Sequence, residues 1–90
     1  MTHLREALRV FAERMEEELK KNEHRGGWKN QNPETMMAKL WDELYDLDDQ
    51  VEGYLDGKGD REQILKEAVD VANYAMFVAD ICLASMGKPE

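Results

Sequence analysis

The sequence is poor in the residues that cross-link a chain, interrupt its helices or bind polyanions. Cys82 is the single cysteine, so no disulfide can form within one chain, and a reducing cytoplasm is the expected compartment. There are two prolines, and the six glycines fall in four places, which leaves long stretches free to form helices. A chain of 90 residues is expected to form one small domain.

Basic residues are also few, since 12 Lys and Arg stand against 20 Asp and Glu, for a net charge of −8. This balance argues against a nucleic-acid polymer as partner, because phosphate backbones bind to basic patches. A divalent cation can still bring a phosphate ligand to an acidic protein. No signal peptide is apparent. The longest apolar run, residues 71–84, is interrupted by Asn73 and Asp80 and is expected to be too short to span a membrane.

What the chain does contain is helical periodicity in three stretches. Asn32 and Pro33 predict the start of the second helix, and Asp60, with Gln63 in a capping box, predicts the start of the third. The predicted helices cover residues 3–22, 33–55 and 60–86. Apolar stripes mark the first two, namely Leu4, Leu8, Phe11, Met15 and Leu19, then Met37, Leu40, Leu44, Leu47 and Val51. We predict an all-α fold, a single domain over residues 1–90 built as an antiparallel bundle of three helices.

The third helix is apolar around its whole circumference. The residues responsible are Val69, Val71, Ala72, Tyr74, Ala75, Met76, Phe77, Val78, Ala79, Ile81, Cys82 and Leu83. A helix of this kind is buried on all sides, and two partner helices in a short chain cannot cover it. We therefore expect a homo-oligomer, a dimer or a tetramer, with the third helices at its centre.

Two helices each carry a pair of acidic residues three positions apart and beside an apolar face. Glu43 and Asp46 lie about 12 to 15 residues before the turn, and Glu67 and Asp70 lie about 9 to 12 residues after it. In an antiparallel hairpin the two pairs therefore come level within about one helical turn. Four converging carboxylates repel one another, and Mg²⁺ or Mn²⁺, which prefer oxygen ligands, would relieve that repulsion. The alternative is ordinary surface charge.

Four further residues have two interpretations each. Trp28, in a glycine-containing loop, either plugs the end of the bundle or stacks on a ligand. Asn73 is an amide in an apolar run, so it needs a partner, either across a dimer or on a base or sugar. Tyr74 shares the carboxylate face and either packs in the core or reaches a phosphate oxygen. Lys39 either binds a phosphate or is solvated.

These residues resemble a known family. The segments MMAKLWDELYDLDDQV and KEAVDVANYAMFVADI resemble the MazG-like, all-α nucleoside triphosphate pyrophosphohydrolases, whose signature is EExxE on one helix and ExxD on the next. The first motif reads Asp42-Glu43-Leu44-Tyr45-Asp46 here, and the second reads Glu67-Ala68-Val69-Asp70. The resemblance covers roughly residues 26 to 85. Two Asp replace Glu in the first motif, and the shorter Asp46 leaves the number and geometry of the metal ions open.

The resemblance implies an enzyme that cleaves nucleoside or deoxynucleoside triphosphates between the α and β phosphates in the presence of Mg²⁺. It assigns the metal ligands to Glu43, Asp46, Glu67 and Asp70, and it makes Tyr74, Asn73 and Lys39 contacts to the nucleotide. A carboxylate that is not fully engaged with metal would act as general base, for which Glu43 and Asp42 are the candidates. The competing hypothesis is a non-catalytic helical module that dimerises through its third helix.

Overall fold

The computed structural model of the chain describes residues 3–23 and 26–87. These residues form three α-helices and no strand: α1 spans Glu6–Lys21, α2 spans Pro33–Leu55 and α3 spans Arg61–Ser85. The prediction of an all-helical protein with three helices is confirmed. Helix α1 begins three residues later than predicted, after Arg5, whose side chain makes no capping hydrogen bond.

Side chains at the predicted caps fix the starts of α2 and α3. Asn32 Oδ1 accepts a hydrogen bond from the backbone N–H of Glu34 at 2.7 Å, and Asp60 Oδ1 accepts one from Glu62 at 3.0 Å. The predicted capping box is different in one respect. The Gln63 side chain is directed to Glu67, one turn into the helix, rather than back to the cap.

A tight turn joins α2 to α3 and fixes how closely they approach. The N–H of Lys58 donates to the carbonyl of Gly53, and the N–H of Gly57 donates to that of Tyr54, the paired bonds of a Schellman motif. Gly57 has the left-handed φ of +79° that this motif requires. A Cβ on Gly59 would overlap the backbone of Tyr54, so only glycine allows the two helices to meet here.

Helix α3 is the centre of the structure, because α2 and α1 both pack against it. Helices α1 and α2 are neighbours in sequence, yet the described helices make no contact with each other. The radius of gyration is 14.6 Å, against about 12 Å for a compact domain of this length. The prediction of a bundle in which sequential helices are neighbours is therefore wrong for α1 and α2, and a gap remains between them.

Helix α2 packs on α3 through a face that is rotated from its predicted apolar stripe and shares only Leu40 and Leu47 with it. Met37, Leu44 and Val51 belong to the predicted stripe but remain 37–38% exposed. The residues shielded from solvent are Met36, Leu40, Glu43, Leu47 and Gln50. The spacings of three and four occur on both faces, so periodicity alone could not choose between them. As a result, Glu43 lies on the packed face.

Much apolar surface remains uncovered. Among the described residues, Met36 and Val69 are the buried apolar side chains. One continuous exposed strip, which we call the bare α2 stripe, consists of Met37, Trp41, Leu44, Val51 and Leu55. On α3, Leu83 is 43% exposed and Cys82 is an exposed free thiol. The single chain thus does not bury α3 on all sides.

Helix α3 is also long and apolar enough to cross a membrane, with 25 residues and a mean hydropathy of 1.4 in its most apolar window. The expectation of too short a span concerned the apolar run of residues 71–84, and the helix as a whole extends beyond that run. Length and composition are weak evidence for a membrane segment, since the core helix of a soluble protein passes the same test.

Candidate functional site

The gap between α1 and α2 forms a cleft of about 490 Å³. Helix α3 is its floor, the ends of α1 and α2 are its walls, and residues 26–31 close one end. The cleft changes in character along α3. Glu43 and Asp70 line one end, and Trp28 and Phe77 line the other. It therefore joins an acidic end, which attracts cations, to an aromatic end, which offers apolar surface to a planar group.

Next to the acidic end, carboxylate oxygens of Glu43, Asp46 and Glu67 lie within 4.8 Å of one another, and of these three residues Glu43 lines the cleft itself. We call these three residues the inner acidic cluster. Glu67 is only 8% exposed, Glu43 is half-buried and Asp46 is exposed. The predicted convergence of acids from two helices is present for these three. A buried carboxylate surrounded by others is costly unless a positive charge meets it.

Asp70, the fourth predicted ligand, does not join this group. Its Oδ2 accepts a hydrogen bond from Lys66 Nζ at 3.1 Å, an ion pair on successive turns of α3. The Asp70 side chain is only 17% exposed, whereas that of Lys66 is 52% exposed. Asp70 lines the cleft next to the cluster and is paired with the ammonium group of Lys66 on the same helix.

The electrostatics of Glu43 reflect this crowding. Burial raises the pKa of the Glu43 carboxyl above its ordinary value of 4.5. The neighbouring carboxylates raise it further, in the order Asp70, Glu67 and Asp46, and Lys66 acts in the opposite direction. The hydrogen bond to Asp70 in turn raises the pKa of the Lys66 ammonium, so that Lys66 stays charged.

A neutral side chain orients the buried member of the cluster. Gln63 Nε2 donates a hydrogen bond of 2.7 Å to Glu67 Oε1 from one turn earlier on α3. An amide donor stabilises the ionised carboxylate and leaves the second oxygen available to another partner. Neither Gln63 nor Lys66 was predicted as a site residue, although both lie four positions before an acidic partner, a spacing that brings side chains together on a helix.

A second acidic group provides an internal comparison. Asp48, Asp49 and Glu52 also place carboxylate oxygens within 4.8 Å of one another, and all three are exposed. We call them the outer acidic cluster. It comes from one helix, faces solvent and does not border the cleft.

At the other end of the cleft, Trp28 anchors the loop to the bundle, which corresponds to the first of its two predicted roles. Its Nε1–H donates to Asp80 Oδ2 at 2.8 Å, and its ring stacks on Phe77 with centroids 4.5 Å apart. These contacts fasten the loop to α3, while the half-buried indole also lines the cleft. The bond to Asp80 joins positions 52 residues apart, so no local pattern could have revealed it.

The other predicted contacts to a ligand also border the cleft. Lys39 lies on its α2 wall, and Tyr74 lies on its floor, edge-on to Phe77 at 5.3 Å between centroids. Asn73 is 5% exposed, and its Nδ2 donates to the backbone carbonyl of Met15 at 3.3 Å. The cleft thus brings together all four residues predicted to contact a substrate.

Asp42, one of the two candidates for the general base, is exposed and does not line the cleft. Of the predicted base candidates, Glu43 is therefore the one on the cleft wall. His24 and Arg25, which precede Trp28 in the sequence, lie outside the described residues.

The inner acidic cluster suits a hard divalent cation. Its ligand atoms are carboxylate oxygens, which Mg²⁺ and Mn²⁺ prefer, whereas zinc sites use His and Cys. Comparison of the chain with protein-family models, curated proteins and solved structures finds no match. The resemblance to the MazG-like family therefore rests on the two motifs and on the residues around them.

Proposed function

We propose that the chain is a Mg²⁺-dependent nucleoside triphosphate pyrophosphohydrolase of the MazG-like kind, which releases pyrophosphate and a nucleoside monophosphate from NTPs or dNTPs. The observation that carries the proposal is the convergence of Glu43, Asp46 and Glu67, from two helices, beside a cleft of about 490 Å³. Pockets of about 300–1,000 Å³ are typical of sites for small molecules and cofactors.

The charges at the acidic end favour a cation rather than an empty cluster. Glu67 is buried. Burial and the charged carboxylates around Glu43 raise the pKa of Glu43, so the metal-free protein is under electrostatic strain at this point. A divalent cation would remove that strain and would at the same time attract a triphosphate to a protein of charge −8. This argument needs no basic patch, and it accounts for the acidic composition.

The residues of the site would have separate roles in the proposed hydrolysis. A bound Mg²⁺ or Mn²⁺ would neutralise phosphate charge and lower the pKa of the attacking water. Asp46 and Glu67 would hold the cation, and Glu43, on the cleft wall, would hold it and accept the proton of that water. Asp70 would complete the ligand set after release from Lys66. Lys39 and Tyr74 line the cleft that would hold the phosphates.

The test is the release of pyrophosphate from a panel of the common NTPs and dNTPs, measured with Mg²⁺, with Mn²⁺ and with EDTA. We expect metal-dependent release with a clear ranking among the substrates. Absence of release from every substrate, with no effect of metal on the melting temperature, would contradict both the proposed activity and the proposed metal site.

The uncovered apolar surface favours a second candidate, a non-catalytic module that acts through protein contacts. Trp41, in the bare α2 stripe, is 52% exposed, and Leu55 at its end is 76% exposed. Such a module requires neither metal nor nucleotide. It is distinguished by an unchanged melting temperature in Mg²⁺ and by partner binding that survives Glu67→Gln.

Self-association is compatible with both candidates, and we propose a dimer or tetramer in the cytoplasm. The small amount of buried apolar surface in one chain argues for a second copy that covers α2 or α3. Light scattering after size exclusion measures the mass directly. Leu44→Glu, in the bare α2 stripe, is expected to yield monomers if this stripe is the interface, whereas the exposed Glu52→Gln serves as control.

A further inference from the structure

The amide of Asn73 has one end in use and one end without a partner. Nδ2 donates to the carbonyl oxygen of Met15, while Oδ1 is buried and receives no hydrogen bond from the described residues. Buried polar atoms are nearly always paired, and an unpaired one costs free energy that a matching donor would recover. Asn73 is 5% exposed, so bulk water does not meet this need.

The orientation of this amide is fixed by its partner. A carbonyl oxygen accepts hydrogen bonds and cannot donate, so the end that faces Met15 must be the NH₂ group. Rotation of the amide by 180° would place two oxygens against each other. The acceptor Oδ1 is therefore the end left for a ligand, and that ligand must supply an N–H or O–H donor.

The position of Asn73 in the cleft indicates which part of a ligand it meets. Asn73 is six residues beyond Glu67 on α3, about 9 Å along the helix axis. It lies one turn before Phe77, whose ring is stacked with Trp28 at 4.5 Å and an angle of 22°. Asn73 thus lies between Asp70 at the acidic end and Phe77 at the aromatic end, and the aromatic end offers flat surface to a planar ring.

We propose that Asn73 Oδ1 accepts a hydrogen bond from an N–H group of a nucleobase that enters the aromatic end of the cleft beside Trp28 and Phe77. The sequence left Asn73 open between a structural role and a ligand contact, and the two ends of its amide perform one each. This inference rests on the proposed function in one respect, since it takes the acidic end as the site of the phosphates. The contact to the base can nevertheless be measured without hydrolysis.

The first experiment uses nucleoside 5′-monophosphates as probes. Trp28 and Trp41 are the two tryptophans, so Trp41→Phe leaves Trp28 as the sole reporter of fluorescence in the cleft. AMP, GMP, CMP and UMP are titrated against this protein, with ribose 5-phosphate as the control that lacks a base. We expect at least one nucleotide to quench Trp28 and to bind more tightly than ribose 5-phosphate.

The second experiment removes the N–H from the tightest-binding base. Purine riboside 5′-monophosphate replaces AMP, 2-pyrimidinone riboside 5′-monophosphate replaces CMP, and N3-methylated UMP replaces UMP. For GMP, N1-methylated GMP removes the ring N–H and inosine 5′-monophosphate removes the exocyclic amino group. Loss of a hydrogen bond to a buried acceptor is expected to weaken binding roughly tenfold or more. In Asn73→Leu, which has a similar volume and no acceptor, the ratio of the two affinities should fall to about one.

Three results would overturn the proposal. These are equal binding of the analogue and its parent, binding of ribose 5-phosphate as tight as that of any nucleotide, and absence of binding by all four nucleotides. If Asn73→Leu does not fold, the ratio measured on the protein with Asn73 intact decides the matter. Pyrophosphate release is assayed separately, so the two proposals can fail independently. A base contact without hydrolysis would refute the proposed function and leave this inference standing. Hydrolysis without the base contact would refute this inference and leave the proposed function standing.

Discussion

Two acidic clusters involve helix α2 of this protein, one shared with α3 and one on α2 alone, and they differ in burial and in position relative to the cleft. In the inner cluster, α3 contributes the buried Glu67, and burial raises the pKa of Glu43. The outer cluster, Asp48, Asp49 and Glu52, is equally tight but lies wholly in solvent. Water screens its repulsion, so nothing there demands a cation. Proximity of carboxylates is therefore a poor guide to a metal site, and burial beside a cleft is a better one.

The largest expected contrast comes from the amide substitutions Glu67→Gln and Glu52→Gln. Changes to groups that only support metal ligands cost about 10–100-fold in affinity or activity, so loss of a buried ligand should lower pyrophosphate release by more than about 100-fold. Without metal, Glu67→Gln should raise the melting temperature, because it removes a buried charge while its amide oxygen still accepts from Gln63. Glu52→Gln should leave both quantities unchanged. Equal losses in the two variants would abolish the distinction between the clusters.

Metal binding itself should stabilise the folded protein through the inner cluster. At a free Mg²⁺ concentration about 100 times the dissociation constant, the gain is about 2.7 kcal/mol by mass action. Thermal or urea unfolding with and without Mg²⁺ measures it. The gain should persist in Asp49→Asn and disappear in Glu67→Gln. Persistence in Glu67→Gln would place the cation elsewhere.

Removing the orienting amide should have an intermediate effect. Gln63→Met keeps the length of the side chain but loses the 2.7 Å hydrogen bond to Glu67. We expect a decrease of about 10–100-fold in Mg²⁺ affinity, the usual cost of a lost supporting contact. Calorimetric titration with Mn²⁺ checks this value. Unchanged affinity would mean that Glu67 is held by packing alone.

The smallest effect should be the pH dependence of stability in the metal-free protein. The folded-state pKa of Glu43 is raised, so the folded protein binds a proton more readily than the unfolded chain above pH 4.5. Stability therefore decreases as pH rises from about 4.5 through the raised pKa, and the penalty is complete above it. Relative to the parent, Glu43→Gln should be more stable at pH 7, with an advantage that shrinks toward pH 4.5.

Asp49→Asn serves as the matched control for this measurement and should show no such trend. Subtracting the parent's own pH profile removes the contribution of the remaining carboxylates. A stability difference between Glu43→Gln and the parent that is constant with pH would show that the crowding around Glu43 has no energetic effect.

Local patterns in the sequence were sufficient for the helices and their caps. Asn32 and Asp60 cap α2 and α3 as predicted, because a side-chain oxygen at that position needs only the N–H two residues later. The convergence of Glu43 and Asp46 with Glu67 also followed from residue counts on either side of a short turn. The i, i+4 contacts of Gln63 and Lys66 were within reach of the same reasoning but were not predicted.

The remaining features depend on tertiary packing. The apolar pattern of α2 is compatible with two faces, and contact with α3 determined that Met36 and Glu43 turn inward while Met37 stays exposed. The cleft exists because α1 and α2 do not touch. A gap between two helices leaves no periodic pattern in the sequence, so it could not be predicted from the sequence.

What the sequence by itself determined is the helical class, the starts of α2 and α3 and the acidic end of the site, since each depends on residues within a few turns of one another. What only the tertiary structure decided is the anchoring of Trp28 by Asp80 across 52 residues and the burial of an Asn73 oxygen that receives no hydrogen bond from the described residues. Both depend on contacts between distant segments, whose geometry the order of residues does not specify.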